Sequence, residues 1–119
     1  MKLTLDSIRK FIQEADELLE KGDLIQASEK YYKAAEEAIK ILTIKHNLKV
    51  LYKINERKRW SSELLFKAVD ELRIIYKDVE KYWLSAWKLH VDGFHEVALN
   101  YEEIKRLKED VKKLISLLK

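Results

Sequence analysis

The chain contains no proline, and only two of its 119 residues are glycine, Gly22 and Gly93. A sequence with almost no residues that break a helix or hold tight turns is driven towards long helices joined by short connections. Lys, Glu, Leu and Ala, all good helix formers, make up much of the remainder. Apolar residues recur at three- and four-residue steps rather than alternating, which is the period of a helix with one buried face.

Helix one is predicted over 4–21, with Leu5, Ile8, Ile12, Ala15 and Leu19 as its stripe and Phe11 and Leu18 widening it. Gly22 stands where a helix-ending left-handed residue is wanted. Asp23 then caps helix two, with Gln26 completing a capping box, so helices one and two form an antiparallel hairpin. Helix two runs to about Lys45, burying Leu24, Ala27, Tyr31, Ala34, Ala38 and Leu42 with Ala35 and Ile39 beside them. The stretch 45–59 reads two ways, because Ile44, Leu48, Leu51 and Ile54 keep a helical period. It either prolongs helix two or forms a short helix of its own.

Ser61 or Ser62 opens helix three, with Trp60 and Leu65 as a hydrophobic staple and Leu65, Ala68, Leu72 and Ile75 facing inward. Asp78 is the predicted cap of helix four, which runs to about Leu99. Asn100 with Glu103 caps helix five, whose stripe is Ile104, Leu107, Val111, Leu114 and Leu118. The expected fold is all-α: an antiparallel up-and-down helical bundle of four core helices plus a C-terminal fifth helix, forming a single domain over 1–119. The fifth helix packs on the core or against a second subunit. Its straight stripe and the small residues of helix two make a homodimer the expected oligomer.

With no cysteine, disulfides and thiolate metal sites are excluded. No apolar run approaches the roughly 18 residues of a membrane span. Met1-Lys2-Leu3-Thr4, followed soon by Asp6 and Arg9, does not read as a leader, so a cytoplasmic protein is expected. The Lys and Glu bias, with few Asn and Gln, is like that of thermophile proteins. No Gly-rich phosphate loop and no nucleophile elbow is present, and nothing calls for a cofactor.

Two places carry candidate chemistry. Trp83, Trp87, His90 and Phe94 share one face of a 3.6-residue helix. Such a face is usually core, yet a histidine within it needs a partner, for which Tyr31, Tyr32 or Glu36 on helix two are the candidates. The resulting candidate pocket is Glu36, Trp83, Trp87, His90, His95 and Glu96, with His95-Glu96 as a potential proton-transfer pair. On an α-helix His90 and His95 stand about 140° apart, so no metal site is expected from them.

The second place is basic. Residues 45–59 hold six basic side chains against one acidic, whereas the net charge of the whole chain is +3. Lys45, Lys49, Lys53 and Arg57 step by four along one helical face, followed by Lys58 and Arg59, and Tyr52 lies close enough to stack a base. This is a candidate nucleic-acid patch, or simply the solvated face of a Lys-rich protein.

Two longer segments carry a resemblance. Gly22-Asp23-Leu24-Ile25-Gln26-Ala27 through Tyr31-Tyr32-Lys33-Ala34-Ala35-Glu36 to Lys40, and Trp83 through Ala86-Trp87, Leu89-His90-Val91 and Gly93-Phe94-His95-Glu96, with Trp60 between them, resemble the two signatures of the archaeal PaREP family. In layout the chain is similar to the broader HEPN-like helical bundles, several of which are ribonucleases or toxin–antitoxin partners. Active members use an arginine followed four to six residues later by a histidine. No arginine here precedes a histidine at that spacing, Arg73 lying 17 residues before His90. The resemblance therefore implies the fold and not the nuclease. The leading expectation is a non-enzymatic interaction or adaptor module acting as a homodimer, with a separate protein partner as the secondary option. The alternatives are a nucleic-acid-associated protein using 45–59 and a small-ligand site between helices two and four.

Overall fold

A computed structural model describes residues 4–119, so the reading of Met1–Leu3 as no leader falls outside the described residues. The described residues form α1 (Leu5–Glu20), α2 (Leu24–Lys45), α3 (Val50–Arg57), α4 (Ser62–Leu72), α5 (Val79–Lys88), a π-helical segment (Leu89–His95) and α6 (Tyr101–Ser116). The architecture is the expected helical bundle: of the two readings of 45–59 the separate short helix is the one found, and the one difference is that the predicted fourth helix changes winding after Lys88.

The α1–α2 hairpin follows from two adjacent residues. Gly22 takes φ +82°, and the N–H groups of Gly22 and Asp23 bond back to Leu19 O at 3.0 Å and Leu18 O at 2.9 Å, a Schellman closure. The Asp23 carboxylate then accepts from Gln26 N at 3.1 Å. Gln26 does not complete the expected box, because the Asp23 N–H it would cap is already bonded to Leu18. At Asn100 the box is complete, with Glu103 N donating to Asn100 Oδ1 at 2.9 Å and Asn100 N to Glu103 Oε1 at 3.0 Å.

Helix α2 is the axis of the bundle and touches every other element. Ala27, Ala34, Ala35 and Ala38 are fully buried along it, and these small side chains let neighbouring backbones approach closely. The α6 stripe of Ile104, Leu107, Val111 and Leu114 is buried within the chain, where α6 packs on α5 and α2. That stripe is therefore not a free surface for a second subunit.

Two further local expectations change. Helix α4 stops at Leu72, so Ile75 sits in the following turn and is 47% exposed rather than inward. Asp78 flanks α5 but makes no side-chain capping bond. Asn47, at φ +48°, interrupts the helical run, and α3 is capped from outside its own sequence: the Glu71 carboxylate of α4 accepts from Lys49 N at 2.8 Å and Val50 N at 2.9 Å. No described helix is long and apolar enough to cross a membrane.

Candidate functional site

The aromatic face is half core and half site. Trp83 is fully buried and packs between Tyr32 of α2 and Phe66 of α4, with ring centroids 5.8 and 5.6 Å away. Trp87, half-buried, closes the same wall 5.0 Å from Phe66. The indole Nε1 of Trp83 is buried without a hydrogen-bond partner among the described residues.

His90 stands at the rim of this wall. Its ring stacks on Tyr32, with centroids 4.2 Å apart and planes 23° apart, and its Nδ1 lies 2.9 Å from Glu29 Oε1. The partner is therefore Glu29, two helical turns before Glu36, one of the three expected partners. Glu36 instead meets the Tyr32 hydroxyl at 3.5 Å and Lys33 at 3.4 Å. Burial first, and then the charges of Glu36 and Glu29, push the Tyr32 phenol well above its ordinary value, so it stays neutral.

The change of winding alters the histidine geometry. In an α-helix residues five apart diverge, whereas the i to i+5 repeat of a π-helix brings them onto one face. His90 Nε2 and His95 Nε2 are 3.2 Å apart, with ring planes at 81°. This corrects the expectation that the two stand on different faces. Glu96 is exposed, and no side-chain hydrogen bond joins it to either histidine among the described residues, so a His95–Glu96 pair is not formed.

Gly93 is what lets the π segment lie so close to α2. A Cβ there would stand 2.5 Å from Ser28 Oγ and 2.7 Å from Ser28 Cβ. The Ser28 hydroxyl, held against Gly93, donates to Leu24 O at 2.8 Å. After the segment, Val97 adopts φ +52°, an unfavourable setting for a β-branched residue.

An ionised carboxylate only accepts, so His90 Nδ1–H donates to Glu29 Oε1, which leaves the Nε2 lone pair facing His95. The result is a row of carboxylate, imidazole and imidazole that can orient a lone pair or pass a proton. Glu29 and Tyr32 are the site residues that sequence reasoning underplayed. Both lie on the same α2 face as Glu36, which was the available signal.

The basic segment is rearranged as well. Lys45 ends α2, Lys49 precedes α3, Lys53 and Arg57 lie on α3, and Lys58 takes the left-handed conformation at φ +61°. The continuous ladder is therefore broken at 46–49, although all six basic side chains, Arg59 included, are exposed. A groove of about 370 Å³ is lined by Asn47, Leu48, Lys49, Leu51, Tyr52 and Asn55. Close by, a bond between His46 Nε2 and Tyr76 Oη at 2.8 Å ties the turn after α4 to the end of α2. Tyr52 is 86% exposed and Ile74 87% exposed, with Ile44 and Ile75 also exposed. These four, of the seven exposed large apolar residues among the described residues, lie on the end of α2, on α3 and in the turn after α4, which the His46–Tyr76 bond and the Glu71 cap hold together.

The profile of the Archaeal PaREP1/PaREP8 family matches residues 3–115. A crystal structure of a Sulfolobus solfataricus protein is 50% identical, covers 99% of this chain and 96% of its own, and superposes with a TM-score of 0.89. A solution structure of the Orf c02003 protein is 52% identical over 97% of this chain and 88% of its own, with a TM-score of 0.83. No curated protein matches the chain.

Proposed function

We propose that this chain, which belongs to the Archaeal PaREP1/PaREP8 family, is a non-enzymatic interaction module that docks an acidic protein partner on the basic end of its bundle. The observation that carries this reading is the grouping of exposed Ile44, Tyr52, Ile74 and Ile75 among exposed Lys45, Lys49, Lys53 and Arg57. Large apolar side chains left in water beside a predominantly basic segment suit a partner that offers apolar contacts and carboxylates. A second copy is the poorer occupant, because the α6 stripe is buried and two basic ends would repel each other. The missing Arg-to-His spacing supports a non-catalytic role among HEPN-like bundles.

A photo-crosslinking residue in place of Tyr52 or Ile74, introduced in the native cell, tests this. An acidic protein crosslinked from both positions, and lost on Lys49→Glu with Lys53→Glu, is the expected result. Crosslinks to a second copy, or to no macromolecule, overturn it. The second reading, single-stranded nucleic acid stacked on Tyr52, is favoured by that ring's exposure beside Lys49 in the groove. It predicts crosslinked RNA or DNA and binding that weakens steeply with salt.

A further inference from the structure

We infer that His90 and His95 form a bidentate site for a divalent transition-metal ion of the zinc, cobalt or nickel type, a role independent of the basic end. Three features of the π segment and the α2 face beneath it carry this. The Nε2 atoms stand 3.2 Å apart. With metal–nitrogen bonds of about 2.05 Å that separation corresponds to an N–M–N angle of about 103°, close to tetrahedral. Glu29, bonded to His90 Nδ1 at 2.9 Å, is the carboxylate partner that metal-ligating histidines use to fix their tautomer and raise their basicity. Tyr32, stacked 4.2 Å from the His90 ring, holds the imidazole plane in place.

The hydrogen bond between the two rings does not stand against this. When the ion enters between the Nε2 atoms, the proton on His95 Nε2 moves to Nδ1 through solvent, His95 being exposed, so both rings bind neutral and no net proton is released. Among the described residues no third His, Asp or Glu joins the pair, so the remaining coordination positions are left to water or to a ligand carried by a partner. Imidazole pairs suit borderline ions, which excludes calcium and magnesium.

Titration of the full chain with Co²⁺, followed by visible absorption and calorimetry and then by competition with Zn²⁺, tests the site. One ion per chain is expected. His95→Ala, a change at an exposed side chain, should abolish binding, and Glu29→Gln should weaken it about 10–100-fold. His46→Ala should leave it unchanged. Circular dichroism of each variant checks that the fold is retained. Binding that survives His95→Ala, binding indifferent to Glu29→Gln, or no saturable binding at millimolar ion overturns the inference.

Discussion

Tyr31 and Tyr32 are neighbours on α2, yet they anchor two polar clusters of opposite character. Tyr31, fully buried, donates to the Asp16 carboxylate of α1, which also receives Lys108 at 3.1 Å and Lys112 at 3.3 Å from α6. Tyr32 stacks beneath the row of Glu29, His90 and His95. In the first cluster one carboxylate meets a phenol and two ammonium groups, so its acceptors are used and three helices are pinned together. In the second, His90 bonds both Glu29 and His95, but those two each have only that one partner among the described residues, and the row ends at an exposed imidazole. The contrast separates a polar cluster that serves the fold from one with bonding capacity to spare.

Electrostatics follow the same division. Burial alone would raise the Asp16 carboxyl, but the bonds from Tyr31 and Lys108 and the charges of Lys108 and Lys112 outweigh it and hold Asp16 below its ordinary value. Burial, with the bond to Asp16, drives the Tyr31 phenol in the opposite direction, far above its own.

The comparison can be broken at several points. Trp83→Ala removes the wall behind the histidine row and should cost about 3–5 kcal/mol in denaturant unfolding. Gly93→Ala should cost about 1–3 kcal/mol, since its methyl would collide with Ser28. Ser28→Gly should recover part of that loss, whereas the same rescue has no effect on Asp16 variants. Asp16→Asn should cost about 1–2 kcal/mol by leaving Lys108 and Tyr31 underpaired.

Its pH signature has a definite sign. Because folding lowers the Asp16 pKa, its contribution is present above the unfolded value of 3.8 and is lost as pH falls through the lower folded value. Thermal melts across that range should therefore be flatter for Asp16→Asn. Tyr31 and Tyr32 are both raised above 10.0, so their contribution is complete below that pH and is lost on going above it. Glu29→Gln, on the partly exposed row, should change stability by less than about 1 kcal/mol. Val97→Asn should be mildly stabilising, by about 0.5–1 kcal/mol, because Asn tolerates the left-handed backbone better than Val.

Much of the bundle was legible because its signals are local. Gly22, Ser61 and Asn100 mark helix ends through their own side chains or backbone freedom, and the three- and four-residue steps identified the buried stripes. The end of the apolar run at Asn47 was not legible, since Ile44, Leu48, Leu51 and Ile54 keep period across the break. The cap on α3 comes from Glu71, which is 21 residues away from Val50 and has no local signature. The candidate site was half legible. Trp83, Trp87 and His90 fall on one face by simple counting, but His95 joins them only because the winding widens to five residues over the segment in which Gly93 closes on Ser28.

That winding brings His95 to His90, and the bond to Glu29 fixes the His90 tautomer. A long-range proton–nitrogen correlation spectrum of the imidazole rings near neutral pH reads both directly. The account predicts a His90 ring protonated at Nδ1, with an unprotonated Nε2 perturbed by His95→Ala. A His90 ring protonated at Nε2, or one indifferent to the loss of His95, would contradict it.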